Sequence, residues 1–358
     1  MRKTYLDNIR WITVVLVVIY HVIYMFNGVT KYGAIGPFCD VQFQDTFLYL
    51  VYPWFMLLLF VVSGMAARFE LETKAPKDFF RARTRKLLVP STIGLFVFQW
   101  ILGYYNLLIA GAFDQMSTVP KPVLYLILAV SGVGPLWYIQ MLWIFEVILL
   151  LVRKIEKDRL YHMCDKTPCI ILWFFIFLIY GAAQVLNTPI IVVYRFGIYG
   201  AGFFIGYFVM SHDHVMERLE KQWILFTAAG VISGLVFTIL CWQKSYPDHE
   251  VLDSFCCNVF AWSGTLGVLA FMKKWGGFEN GFSRFMIKKS WGLYLFHYLP
   301  IAVTAFYLKQ IMPGLAPLLV YFLTAVAGFA GAIVLYEIIS RIPGLRWCVL
   351  GMKGRVKK

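Results

Sequence analysis

The sequence predicts an all-α polytopic membrane protein of about ten transmembrane helices, with both termini on the cytoplasmic side. Three observations predict it. The chain of 358 residues is 60% apolar and only 15% charged, whereas soluble domains carry roughly 25% charged residues, so too little polar surface remains to cover a water-exposed globule. Apolar runs of about the ~20 residues that cross hydrocarbon as a helix recur along the whole chain. Lysine and arginine fall almost entirely in alternate connections between those runs.

The first run, at about 9–28, follows Arg2 and Lys3 and carries Arg10; with Asp7 and Arg10 at its start it reads as a retained helix and not as a cleaved signal. The second, at about 47–67, ends at Arg68, and the connection after it holds Lys74, Lys77, Arg81, Arg83, Arg85 and Lys86 before the third run at about 87–110. A stretch at 122–131 is a short extra or re-entrant helix ahead of the fourth run at about 134–152. Arg153, Lys154, Lys157, Arg159 and Lys166 separate the fourth run from a closely spaced pair at about 168–186 and 190–210. Arg218 and Lys221 precede the run at about 222–242, and the run at about 254–272 is followed by Lys273, Lys274, Arg284, Lys288 and Lys289. The last two runs are at about 290–308 and 314–340, with Arg341, Arg346, Lys353, Arg355, Lys357 and Lys358 beyond them.

With the N-terminus inside, 28 of the 33 basic residues lie on the inner side. Lys31, Lys121, Lys244 and Lys309 lie outside and Arg195 within a run, which fixes the expected orientation by the positive-inside rule. The net charge of +14 then needs only this topology and attraction to anionic membrane lipid, at ~1 kcal/mol per basic residue; nothing in the sequence points to nucleic acid. No long polar segment interrupts the pattern, so residues 1–358 read as a single transmembrane domain. The seven cysteines show no spacing that suits a metal site, and no metal is expected. Cys39 with Cys256 or Cys257 would be the pair to form a disulfide on the outer face.

An ionisable group inside a span costs several kcal/mol unless it is paired or faces a cavity. His21 is such a group. Arg10 precedes it by eleven residues, about 20° past three whole turns, so both occupy one helix face ~16 Å apart along the axis. Asp7 lies three residues before Arg10 and can hold its guanidinium. In the ninth run Ser290, Tyr294 and His297 share one side of a helix. His21 and His297 enter from the same side and differ in depth by only ~5 Å. Their helices are therefore expected to be neighbours, with the imidazoles on the order of 10–15 Å apart and lining one tunnel with Tyr294. Arg81, Arg83, Arg85 and Lys86, besides anchoring a helix at headgroups, suit a polyanionic ligand entering from the cytoplasm. Ser63 and Gly64, Trp137, Tyr138 and Gln140, and Glu146 and Glu337 add small or polar groups that can line a cavity.

These pieces, in this order, resemble the integral-membrane acyltransferase family three, which includes O-antigen and peptidoglycan O-acetyltransferases and the glucan-modifying succinyltransferase type. Tyr5-Leu-Asp7-Asn-Ile-Arg10, ten residues and then His21 are similar to that family's signature in its first helix. Phe60 to Gly64, Arg81 to Pro90, Leu136 to Tyr138, Gly202 to Tyr207 and Ser290 to Pro300 follow in the family's order. The family's Arg-x-x-Arg stands here as Arg83-Thr-Arg85-Lys86. The resemblance implies a plasma-membrane O-acyltransferase that moves an acyl group, usually acetyl, from cytosolic acyl-coenzyme A to a hydroxyl of an extracytoplasmic cell-envelope glycan or glycolipid. It implies His21 as general base or transient acyl carrier and Arg10 as the holder of the donor's charged part or of the developing negative charge. Tyr294 and His297 would orient the acceptor or stabilise the oxyanion. The basic run would bind the donor's phosphates, and Asp7, Ser63, Trp137 and Gln140 would complete the substrate contacts. The rival reading is a secondary transporter with an intramembrane His/Arg relay; no inverted repeat between the halves supports it.

Overall fold

A computed structural model describes residues 3–30, 35–188 and 191–353. Arg2, Lys31, Arg355, Lys357 and Lys358, counted above for orientation, and the start of the run at 190–210 lie outside the described residues. The chain is 79% helical, with no strands among the described residues, as expected of segments that must satisfy their backbone polar groups without water.

The principal helices are α1 (Thr4–Tyr24), α2 (Thr46–Leu71), α3 (Pro76–Ile109), α4 (Lys121–Ser131), α5 (Leu136–Glu156) and α6 (Cys169–Ala183). They continue with α7 (Phe196–Met210), α8 (Trp223–Cys241), α9 (Phe255–Trp275), α10 (Gly281–Phe296), α11 (Tyr298–Ile311) and α12 (Pro317–Arg341). Seven described helices are long and apolar enough to cross a membrane, or eight if α10 and α11, bent by 57° at their junction, form one span. The expected count of about ten is not confirmed by length and composition. Two of the expected spans, α6 and α7, are helices of 10–17 residues, which at 1.5 Å per residue fall short of a ~30 Å hydrocarbon core. The apolar runs extend beyond the helices because described residues outside them, Val185, Leu186, Ile191, Val192 and Val193, are themselves apolar. The stretch at 122–131 forms the short helix α4.

Two breaks in helical regularity have a common chemical cause. Pro90 offers no N–H to the carbonyl four residues before it, and the widened π-turn Thr84–Leu88 lies just ahead of it in α3. Pro300 likewise cannot bond the carbonyl of Phe296, and the α10–α11 break falls at His297. The second break matters for the site.

The chain divides into two compact units. The first comprises residues 1–13, 46–80 and 144–287. Its α2 and α7 cross with backbone against backbone: a Cβ on Gly64 would lie 2.0 Å from the Phe203 carbonyl, and one on Gly206 would lie 2.1 Å from that of Val61. Small residues at such crossings are the usual means by which helices approach closely in lipid. At the end of α2, the buried Arg68 bonds Asp158 at 2.6 Å and Glu72 at 3.1 Å and stacks over Tyr161 at 3.5 Å. His212 stacks on the same Tyr161, with centroids 3.9 Å apart, and faces Asp165 at 3.2 Å. Arg195, expected within a span, is buried at the start of α7 and bonds Asp253 at 3.1 Å.

The second unit comprises residues 14–45, 81–143 and 288–358. Within it Gly328 of α12 lies against Ile301 and Val18, and Gln42 donates to the Phe26 carbonyl at 2.8 Å, closing the loop after α1. All seven cysteines are free thiols, so the disulfide envisaged for Cys39 is not formed.

Candidate functional site

The second unit brings His21 and His297 into direct contact. Nε2 of His297 lies 3.1 Å from Nδ1 of His21, and the ring centroids are 4.9 Å apart. This is closer than the spacing of helix axes suggested, because the two side chains themselves meet across the gap, with their rings tilted by 47°.

The partners of these rings fix their protons. Nδ1 of His297 sits 3.0 Å from the Leu293 carbonyl and 2.9 Å from that of Tyr294. Carbonyl oxygens only accept, so a neutral His297 carries its proton on Nδ1 and presents a lone pair at Nε2. Nδ1 of His21 lies between that lone pair and the Val17 carbonyl at 2.8 Å; both are acceptors, so it too must carry a proton. Nε2 of a neutral His21 is then left as a free base. His297 is fully buried, whereas His21 keeps part of its surface open. The carbonyls that order His297 belong to the last turn of α10, next to the break that Pro300 enforces.

Aromatic rings complete the surroundings. Tyr298 lies 4.7 Å from the His21 ring, Tyr20 5.1 Å and Tyr24 6.4 Å. Sequence reasoning singled out none of the three. Tyr24, one helical turn beyond His21, and Tyr298, adjacent to His297, were available as signals. Tyr294, expected beside the histidines, donates its hydroxyl to the Pro135 carbonyl and stands 5.8 Å from Tyr138. That contact ties α10 to the turn leading into α5, where Gly134 adopts a positive φ of 39° and packs against Leu102 and Tyr298.

The other expected residues divide. Gln140 donates to the Ser91 carbonyl at 3.0 Å, fastening α5 to α3, and Trp137 is half-buried beside Tyr138. In the basic run Arg81 and Lys86 are exposed, and Arg83 and Arg85 half-buried. Nε of Arg85 donates to the Gly351 carbonyl at 3.3 Å, and Lys86 lies 5.1 Å over the Trp291 ring. Trp291 in turn donates to the Leu350 carbonyl at 3.2 Å. Gly351, at φ 62°, allows this approach: a Cβ there would lie 2.2 Å from the Arg85 carbonyl. The C-terminal segment as a partner of the run was not foreseen. Glu337, expected in a span, pairs with Lys289.

Arg10, Asp7 and Ser63 belong to the first unit. Arg10 bonds Asp7 at 3.2 Å, the expected i,i+3 contact. Helix α1 is unbroken from Thr4 to Tyr24 and carries both Arg10 and His21. Ser63 is half-buried in α2.

A comparison with protein families matches the model of an acyltransferase domain over residues 3–337. The chain belongs to acyltransferase family 3. The match includes α1, the basic run, the break at His297 and Glu337. No curated protein and no solved structure matches the chain.

Proposed function

We propose that this family 3 acyltransferase is an O-acyltransferase of the plasma membrane. It takes an acyl group, most simply acetyl, from cytosolic acyl-coenzyme A and transfers it to a hydroxyl of a cell-envelope glycan or glycolipid on the opposite side. The termini and the 81–86 run face the cytoplasm, in keeping with the distribution of basic residues. The observation that carries the reading is the His21–His297 contact, in which one imidazole orders the other.

In this scheme Nε2 of His21 takes the proton of the acceptor hydroxyl as its oxygen attacks the thioester carbonyl. The imidazolium so formed keeps Nδ1–H directed at the Val17 carbonyl and the His297 lone pair, two acceptors that favour the positive charge. Collapse of the tetrahedral adduct breaks the C–S bond, and the departing thiolate recovers the proton from Nε2 to leave free coenzyme A and the new ester. His297 is a positioning residue. Arg83, Arg85 and the neighbouring cations hold the donor's phosphates, which as a polyanion stay at the inner surface. Trp137 and Gln140 of the second unit contact the substrates in this scheme.

The test is transfer of radiolabel from acetyl-coenzyme A to envelope material in membranes that contain the protein. Label above that of membranes lacking it is expected. Passage of a solute without acylation would favour the transporter reading and contradict this one.

A further inference from the structure

The first unit contains a cavity of about 570 Å³ between α2, α8 and α9, with almost wholly apolar walls. Its walls run from Thr227 to Leu235 on α8 and from Phe260 to Met272 on α9, with Trp54 of α2 at the back. Gly230 and Gly264, where α8 and α9 approach closely, form its floor, while Val231, Leu235 and Phe271 on its rim are exposed. At 1.5 Å per residue these stretches span ~12 and ~18 Å. That is about half of a ~30 Å hydrocarbon core, the depth of a single leaflet.

The two ends differ. One is closed by the buried Phe260. At the other, the Trp223 and Trp275 rings stand 6.1 Å apart and Trp223 lies 6.0 Å from Phe271. Lys221 precedes the first tryptophan by two residues, and Lys273 and Lys274 immediately precede the second, so three cations lie within two residues of these rings along the chain. Lys274 is 43% exposed, with Glu220 3.9 Å away, and Lys273 lies 5.4 Å over the Tyr5 ring. Tryptophan at this position marks a membrane–water interface, and lysines there attract anionic headgroups.

The geometry points to a binding site for one anionic diacyl phospholipid, with an acyl chain in the cavity between α2, α8 and α9 and its headgroup phosphate at Lys221, Lys273 and Lys274. An apolar slot one leaflet deep suits hydrocarbon, and the cations at only one end set its polarity. The site lies wholly within the first unit and is independent of the imidazole pair.

A diazirine-bearing phosphatidylglycerol, photolysed in membranes containing the intact protein, tests it. Crosslinks concentrated in peptides covering Thr227–Leu235 and Phe260–Met272 are expected. Crosslinks spread as strongly over the exposed faces of α6 and α12 would overturn the proposal. Val231→Trp, which fills the slot from its exposed rim, should lower groove labelling by about tenfold. The pair Lys273→Gln and Lys274→Gln should abolish the preference over a phosphatidylcholine probe with the same chains. Wild-type protein labelled equally by both probes would contradict the headgroup assignment without depending on how any variant folds.

Discussion

Nε2 of His297 meets Nδ1 of His21 at 3.1 Å across 276 positions of sequence. Because His297 spends its only N–H on the carbonyls of Leu293 and Tyr294, it faces His21 as an acceptor, and its loss should act through the orientation of His21. His297→Ala should lower kcat by roughly 10–10² while leaving the donor KM within about twofold. His297→Gln, whose side-chain oxygen can reach the position of Nε2 and accept from His21, should recover part of the loss. Equal activity of the alanine variant and wild type, or a change confined to KM, would remove His297 from this role.

A second prediction concerns the basic run. Reversing Arg83 and Arg85 to glutamate should raise the apparent donor KM in a manner that weakens as salt is added, with the acceptor KM unchanged. Arg85 also holds the Gly351 carbonyl, so thermal unfolding of the variant separates a loosened C-terminal segment from lost donor binding. An unchanged donor KM would return the run to headgroup anchoring.

How much of this was legible in the sequence follows from what each feature depends on. The depths of His21 and His297 depend only on helical rise and the side of entry, so their proximity could be read beforehand. Their proton order depends on which carbonyls surround them, which follows from the break before Pro300 and has no counterpart in a hydropathy pattern. The lengths of α6 and α7 were overread because apolar residues that hold no helix count the same as those that do. The packing of Gly351 on Arg85 joins segments separated by 266 positions through a left-handed glycine, and neither charge nor apolar spacing signals such a contact.

The α2–α7 crossing supplies a stability test. Gly64→Ala would place a methyl 2.0 Å from the Phe203 carbonyl, and backbone cannot give way as a side chain can. Overpacking of this kind costs about 1–3 kcal/mol, so the unfolding temperature in detergent should fall by several degrees. A variant as stable as wild type would show that the two helices are not in backbone contact.

His212 gives a pH dependence. It lies between α7 and the helix Asp213–Lys221, and burial is the main influence lowering its pKa below the ordinary imidazole value, against the opposing effects of the Tyr161 carbonyl and Asp165. A lowered folded pKa means that the unfolded chain binds the proton more readily. The resulting stability is therefore present above ~6.5 and is lost as the pH falls below it. Unfolding temperatures should decline from pH 7.5 to pH 5, and His212→Gln should flatten the decline. A slope unaffected by the substitution would assign it to other groups.

The most direct measurement of the central claim is the rate of radiolabel transfer from acetyl-coenzyme A to envelope acceptor by membranes carrying wild type or His21→Ala at matched protein amounts. A free base at Nε2 of His21 that takes the acceptor's proton predicts a loss of at least ~10², with solubility and unfolding temperature nearly unchanged. Retention of more than half the wild-type rate would contradict the account.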